Sequence, residues 1–267
     1  MKTGALLLLA MAGAAAPYAQ PPPGVFPPSI VGMGAEARGG MEGWLNAREL
    51  GARGDGTNDD GIPIQRALDA CGSNGAGTVF LPRGLYLVKT RLRIPKFVTL
   101  RGTWEVPHSW DEKRGSTLLA VEGEGNAEGP PFIEMSMGST LRGLTIYHPN
   151  QVDANPPKKY PPAVGRSTAR NNDNAAILDV YLVNPYIGID FGSQYSGRHF
   201  IRNVYGTPLF LGLWIDKCFD VGRIENVHFW PFWKPGRSPV SRFIAEHATS
   251  FRFGSADWEN VVDCFSW

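Results

Sequence analysis

The sequence of 267 residues is poor in charge and in cysteine. Charged side chains make up only 19% of it and balance to a formal net charge of +1, so a nucleic-acid-binding surface is not indicated. The three cysteines, Cys71, Cys218 and Cys264, lack the spacing of a metal site, and their odd number leaves at least one free thiol. We expect buried, unpaired cysteines, and the alternative is a bridge between Cys218 and Cys264.

The apolar run from Ala5 to Ala16 is too short to cross a membrane. It follows Lys2 and ends among small residues, which is typical of a secretory signal cleaved after Ala16 or Ala19. We therefore predict a signal peptide over 1–19 and a secreted protein, extracellular or periplasmic, with no membrane partner. A mobile segment rich in Pro and Gly is expected over 20–43, followed by one domain over 44–267.

The 32 glycines and 22 prolines indicate many tight turns. Within Leu50–Val88, a group of Asn and Asp side chains precedes apolar residues at the spacing of one helical face, which are Ile64, Ala67, Leu68 and Cys71. This pattern predicts a short amphipathic helix capped by an Asp or Asn side chain. Short strands are expected at Thr78–Leu81 and Leu85–Val88, bent at the Pro-Arg-Gly between them.

The same block contains DGTNDD, IQRALDA and GTVFLPRGLYLV, and it resembles the N-terminal segment of the pectate-lyase-like superfamily, the rhamnogalacturonase/epimerase-like proteins. The resemblance implies an all-β fold, a right-handed parallel β-helix (solenoid) with a short N-terminal capping α-helix. It also implies a polysaccharide as the partner, because several polysaccharide hydrolases and lyases share this opening. It identifies the fold more closely than the chemistry.

Five later segments repeat one pattern of bulky apolar, variable, Asn/Asp/Gly and Val/Leu residues. Their third positions are Gly143, Asp179, Asn203, Asn226 and Asn260, separated by steps of 36, 24, 23 and 34 residues. Such units cannot bury their apolar faces alone and must stack as coils. We expect the Asn and Asp side chains to form turns and a hydrogen-bonded ladder rather than to catalyse a reaction.

The two long steps predict insertions over 147–174 and 230–245 that leave the solenoid at one corner. Two walls and a floor of short coils would result. The sequence stops at Trp267 directly after the last repeat, with Phe265 and Trp267 still apolar. Because a solenoid normally ends in a cap, we expect the C-terminal end to be truncated, or the open last coil to be completed by another chain in an oligomer.

The strands after this corner, which begin at Ile187, Leu213 and Ser250, predict an outward column of Asp190, Asp216 and Arg252. Two carboxylates on adjacent coils suit acid and base catalysis at a glycosidic bond. A lyase would instead neutralise a uronate with Arg252, Lys217 or a Ca²⁺ ion held by the aspartates. The alternative is a surface ladder in which Arg252 pairs with Asp216.

Aromatic residues form a second predicted site. Trp214, Trp230 and Trp233 suit stacking on sugar rings, with His228 and Tyr205 nearby in the repeat, although the tryptophans could equally pack the insertion onto the barrel. His199, His228 and His247 are candidate bases or partners of carboxylates.

Taken together, these features predict an exported polysaccharide-degrading enzyme, either a glycoside hydrolase or a uronate-polymer lyase. We predict no certain cofactor, with Ca²⁺ as the candidate for a lyase. The alternative function is non-catalytic, as a glycan-binding or surface-structural β-helix.

Overall fold

The computed structural model describes residues 43–107, 115–168, 172–234 and 236–267. The predicted signal peptide and all of the Pro/Gly-rich segment except Gly43 lie outside these residues. Neither of the two described α-helices has the length and apolar character needed to cross a bilayer. All three cysteines are free thiols, so the alternative bridge between Cys218 and Cys264 is not formed.

The first coils contain β1 (Trp44–Asn46), a 3₁₀ turn (Ala47–Leu50), β2 (Asp55–Asp59), α1 (Gly61–Ser73), β3 (Gly77–Leu81), β4 (Gly84–Val88), β5 (Leu92–Ile94), β6 (Val98–Gly102), β7 (Ser116–Ala120) and β8 (Ile133–Met135). The middle coils contain β9 (Thr140–Tyr147), β10 (Pro162–Arg166), β11 (Ala176–Leu182), β12 (Ile187–Phe191), β13 (Ser196–Gly197), β14 (Phe200–Gly206) and β15 (Leu211–Ile215). The last coils contain β16 (Cys218–Phe229), α2 (Pro239–His247), β17 (Thr249–Phe253), β18 (Ala256–Val262) and β19 (Phe265–Ser266).

All of the strand pairs are parallel, and each coil contributes strands to three faces. The first face contains β1, β3, β6 and the opening parts of β9, β11, β14 and β16. The second face contains β2, β4, β7, the closing parts of the same long strands, and β19. The third face is a separate sheet in the order β17-β15-β12-β10-β8-β5. The predicted parallel β-helix is therefore confirmed.

The core lies inside the coils, where aliphatic side chains stack from one coil to the next. The inward column of the first face consists of Val79, Leu100, Leu141, Ile177, Ile201 and Ile224, all fully buried. Burying each such side chain contributes about 1.5 to 3 kcal/mol. No repeat unit can bury this face without its neighbours, so stability depends on the stack.

Helix α1 packs on the first coils, and the predicted apolar face, Ile64, Ala67, Leu68 and Cys71, is fully buried. The N-cap residue, Asp60, makes no side-chain hydrogen bond to the helix; the preceding Asp59 supplies the acidic contact, because its Oδ1 accepts the N–H of Gly61 at 3.0 Å. Asp60 instead turns back and accepts the N–H groups of Arg53 and Gly54 at 2.6 and 3.0 Å. Burial raises the pKa of the Asp60 carboxyl, although these two hydrogen bonds oppose the shift.

The repeat residues occupy the sharp turn between the first and second faces. Gly143, Asp179, Asn203 and Asn226 all have φ between 52° and 68°, which is the left-handed conformation expected for them. The prediction for the fifth repeat, Asn260, was wrong. The register of β16 and β18 pairs Ile224 with Val261, so Asp263 (φ 55°) occupies the turn. The repeat pattern misassigned this coil because WENVVD contains both residues in similar apolar surroundings.

The two insertions do leave the solenoid at one corner, between the second and third faces. The first was predicted too long, because its span contains β10, a strand of the third face. The second carries α2, which reaches across the short coils so that the N–H of Val240 bonds to Asp153 Oδ1 of the first insertion at 3.0 Å. The two insertions therefore meet instead of forming separate walls.

His148, at the start of the first insertion, should make stability depend on pH. Its side chain is fully buried against Tyr160, and burial lowers its pKa to about 3. Between pH 6.5 and 3 the unfolded chain binds a proton here that the folded chain excludes, so the free energy of unfolding should fall as the pH falls, by up to about 1.4 kcal/mol per pH unit. Urea unfolding at a series of pH values measures this slope. His148→Gln should reduce the slope, whereas the exposed control His247→Gln should not; equal slopes in all three proteins would contradict the assignment.

Candidate functional site

The outward column on the third face differs from the predicted one. Register pairs Asp190 with Trp214 and Trp214 with Arg252. Asp216 lies two residues farther along its coil, where its carboxylate covers Gly254. The prediction had aligned Leu213 of β15 with Ile187 of β12, whereas the structure pairs Leu213 with Ile189. A shift of two residues leaves every side chain on the same face of its strand, so the apolar pattern fits both alignments. Asp190 and Asp216 consequently belong to different columns.

Each of the two aspartates accepts backbone N–H groups, Asp190 within its own turn and Asp216 from its own coil and the next one. Asp190 Oδ1 accepts the N–H groups of Gly192 and Ser193 at 2.9 and 2.8 Å, and its Oδ2 accepts the Ser193 hydroxyl. Asp216 Oδ1 accepts the N–H groups of Lys217 and Ser255 at 2.7 and 2.8 Å. The hydrogen bond from Ser255, followed by that from Lys217, lowers the pKa of Asp216. These contacts are those of turn-stabilising residues.

Trp214 is enclosed by the coils on either side. Its ring lies against Gly192, where an added Cβ would approach ring atoms to 2.4 Å. The guanidinium carbon of Arg252 lies 4.7 Å from the ring centroid. A sugar could stack on Trp214 only if Arg252 moved. Lys217 is exposed, and its Nζ donates to the Ser193 carbonyl at 3.3 Å.

The two tryptophans of the second insertion have different environments. Trp233 is only 6% exposed and packs with Leu209 and Val240 beneath α2. It therefore serves loop packing, which corrects its assignment to the groove wall. Trp230 is partly exposed and lies beside Tyr181 and Tyr205, with ring centroids 6.2 and 6.1 Å apart.

An aromatic row crosses the second face on its outer side. Register aligns its members from coil to coil, and they are Tyr181, Tyr205, His228 and Phe265. The rings of Tyr205 and His228 meet edge to face at 5.5 Å, and His228 meets Phe265 in the same way at 5.8 Å. Trp104, distant in sequence, stacks beside Tyr205 at 6.4 Å. Tyr181 is buried, whereas Tyr205, His228 and Phe265 are at least partly exposed, so the row presents tilted rings along the coil stack that can contact a sugar.

The turn ladder, formed by Asp179, Asn203 and Asn226, borders the aromatic row. Asn203 Nδ2 donates to Asp179 Oδ1, and Asn226 Nδ2 donates to Asn203 Oδ1, each at 2.8 Å. At one end of the ladder, Arg142 Nε donates a hydrogen bond to Asp179 Oδ2 at 3.1 Å. At the other end Asn226 Nδ2 also donates to the hydroxyl oxygen of Tyr205 at 2.9 Å. The ladder thereby fixes the Tyr205 hydroxyl, and the Tyr205 ring meets the His228 ring edge to face.

Positive charge lies on the far side of the same turn. Arg142 and Arg202 belong to the outward column of the first face, on either side of Leu178. The Arg142 side chain is 41% exposed, and Arg202 is exposed with its guanidinium 5.2 Å from the Phe200 ring centroid. The two arginines, the rings of the aromatic row and the His228 imidazole are thus grouped around the turn between the first and second faces.

Comparison with known proteins relates the N-terminal part of the chain to one family. Residues 44–150 match the family model for rhamnogalacturonase A/epimerase, pectate lyase-like proteins. Mannuronan C5-epimerase AlgE3 of Azotobacter vinelandii is 52% identical over 46 residues, which is 17% of this chain and 2% of that protein. Alginate lyase 7 of the same organism is 32% identical over 92 residues, 30% of this chain and 11% of that protein.

The solved A-module of mannuronan C-5 epimerase AlgE4 from Azotobacter vinelandii has the same fold. It superposes with a TM-score of 0.50 at 19% sequence identity, covering 70% of this chain and 52% of that one. At this sequence identity, the structural likeness concerns the fold. The chain spans only a small part of the length of the two sequence relatives named above.

Proposed function

We propose that this chain, a parallel β-helix protein of the pectate-lyase-like superfamily, acts on an acidic polysaccharide by removing a proton next to a uronate carboxylate. The observation that carries the proposal is the Tyr205 hydroxyl, which accepts a hydrogen bond from Asn226 at the end of the turn ladder, while the Tyr205 ring meets the His228 ring edge to face. The sequence relatives named for mannuronan epimerisation and alginate cleavage support an acidic substrate.

The proposed roles follow from the chemistry of the side chains. A sugar stacks along the aromatic row, and its carboxylate faces the donors around the turn, where Arg202 supplies positive charge. One of the pair Tyr205 and His228 accepts the proton from the carbon next to the carboxylate. In an elimination the other donates a proton to the leaving oxygen, and in an epimerisation the same carbon takes a proton from solvent on the opposite face of the ring.

Hydrolysis is less well supported by this arrangement. A glycosidase generally needs two free carboxyl groups, one on each side of the bond that is cut. At the turn ladder, Asp179 has both oxygens engaged, by Arg142 and by Asn203. Asp190 and Asp216 lie in separate columns; Asp190 caps its own turn, and Asp216 accepts N–H groups from its own coil and from the next one.

The same two aspartates do not fit the calcium site considered for a lyase, because register separates them and backbone N–H groups occupy an oxygen of each. The proposed proton transfer uses no calcium. We also propose that the protein is exported, on the strength of the apolar N-terminal run after Lys2.

The test is incubation of the purified protein with uronate polymers and with neutral polysaccharides, each with calcium and with a chelator. Three products are followed, namely the ultraviolet absorbance of unsaturated uronates, new reducing ends, and inversion at C5 by proton NMR. Absorbance with reducing ends indicates elimination, and C5 inversion alone indicates epimerisation. Reducing ends without absorbance would indicate hydrolysis and contradict the proposal.

A second function, non-catalytic glycan binding, is favoured by the extent of the aromatic row over four successive coils. Trp230 lies against Tyr181 and Tyr205 of the row. Binding of uronate polymers that is lost on replacing Trp230 by Ala, without any product, would support this function over catalysis. A matched control is Trp258→Ala, because Trp258 is 65% exposed on β18, outside the row.

A further inference from the structure

Three potential metal ligands from successive coils meet at the corner between the third and first faces. His199 precedes β14, Cys218 begins β16, and Glu259 lies in β18. The Cys218 Sγ lies 3.6 Å from His199 Nδ1, and Glu259 Oε1 lies 2.8 Å from His199 Nε2. One ligand atom from each residue lies within 4.8 Å of the other two. The separations in sequence, 19 and 41 residues, match no local metal-binding motif.

The cluster is buried, and the chain makes room for it. His199 is fully buried, Cys218 is 4% exposed, and the Glu259 side chain is 10% exposed. To reach His199, the Glu259 carboxylate crosses the intervening coil at Gly222, where an added Cβ would lie 2.3 Å from both of its oxygens. Only glycine leaves this path open.

Part of the ligand capacity of the cluster is unused. Glu259 Oε2 is buried and has no hydrogen-bond partner among the described residues. Buried polar atoms normally have partners, so an unpartnered carboxylate oxygen beside a thiol and an imidazole is suited to binding a cation. A cation would satisfy this oxygen.

The charges around the thiol favour a cation. Three carboxylates, Glu259, Asp257 and Asp173, act on Cys218, against one guanidinium, that of Arg166. Arg166 lies on the Phe191 ring at 4.4 Å, and His199 meets the edge of the same ring at 5.8 Å.

We propose that His199, Cys218 and Glu259 bind a divalent transition-metal ion of the zinc type. Thiolate, imidazole and carboxylate are the ligands that zinc accepts together, at about 2.0 to 2.3 Å, whereas calcium requires oxygen ligands. On binding, the thiol releases its proton to solvent and one imidazole nitrogen coordinates the ion. The ion ties three successive coils together and fastens β18 to the stack. The proposal is independent of any action on polysaccharide.

The test is titration of the metal-stripped, purified chain with Co²⁺ and then with Zn²⁺. We expect one equivalent of Co²⁺ to produce a thiolate charge-transfer band that Zn²⁺ abolishes, and Zn²⁺ to raise the melting temperature. Cys218→Ser should lose the band. Glu259→Gln, which keeps a hydrogen-bonding side chain at His199, should bind Zn²⁺ at least about tenfold more weakly. Gly222→Ala should weaken binding in the same way by displacing Glu259.

The matched control is Cys264→Ser, which removes a thiol whose Sγ contacts the carbonyls of Ile224 and Val262 instead of the cluster. It should leave the band unchanged. Absence of a thiolate band in the unaltered protein would overturn the proposal, as would a band that survives Cys218→Ser. If either result is found, the melting temperature of Glu259→Gln should be measured with and without Zn²⁺. The same change in both conditions would identify the cluster as a metal-free polar network.

Discussion

Replacing Tyr205 by Phe should lower turnover of the acidic polysaccharide by about 100- to 10,000-fold, the usual contribution of a positioned acid or base. The substitution removes only the hydroxyl, to which Asn226 donates at 2.9 Å. The ring remains between Trp104, Trp230 and His228. Binding of the polymer should therefore change little, and the loss should appear in kcat rather than in KM. Initial rates over a range of polymer concentrations separate the two.

His228→Gln should lower kcat to a similar extent, and the double variant should be little worse than either single one, because the two side chains act in one reaction. Tyr195→Phe and His247→Gln are the matched controls, since both residues are exposed and lie outside the aromatic row. Activity that survives in Tyr205→Phe at the level of its control would exclude Tyr205 as acid or base. A rise in KM alone would assign the row to binding.

Asn203→Ala should lower the free energy of unfolding by about 2 to 5 kcal/mol, from two sources. Alanine is strained at a φ of 54°, by about 1 to 2 kcal/mol. The substitution also removes the ladder hydrogen bonds to Asp179 and from Asn226, each worth about 0.5 to 1.5 kcal/mol. Urea unfolding followed by circular dichroism measures the change.

Two further variants separate these contributions. Asn203→Gly tolerates the left-handed turn but lacks the side chain, so it should show only the cost of the lost hydrogen bonds. Asn260→Ala should change stability by less than about 0.5 kcal/mol, because this exposed residue is not at the turn. A loss in Asn260→Ala as large as that in Asn203→Ala would restore the assignment of Asn260 to the repeat turn.

The parts of the fold that depend on local pattern were predictable. Helix α1 follows from apolar residues at helical spacing, such as Ile64 and Leu68, after an acidic group. The turn positions of Asp179, Asn203 and Asn226 follow from the tolerance of these side chains for left-handed backbone. Each depends on neighbours within a few residues, so the sequence alone contains the information.

Register between coils was not predictable in the same way. In the third face, matching Leu213 with Ile187 or with Ile189 keeps the apolar side chains inside, because strand side chains alternate with period two. Only the packed structure pairs Leu213 with Ile189 and thereby removes Asp216 from the column of Asp190. The last turn was misplaced for a similar reason, since Asp263 and Asn260 both sit among apolar residues.

The sequence by itself determined the parallel β-helix, its N-terminal helix, its stacked core and the corner from which both insertions leave. The tertiary structure alone decided which side chains from different coils meet, including Tyr205 with Asn226, and His199 with Cys218 and Glu259. The physical reason is that each coil specifies its own inward and outward faces through local alternation. Contacts between coils depend instead on loop lengths and on the packing of neighbouring strands, which sequence periodicity does not contain.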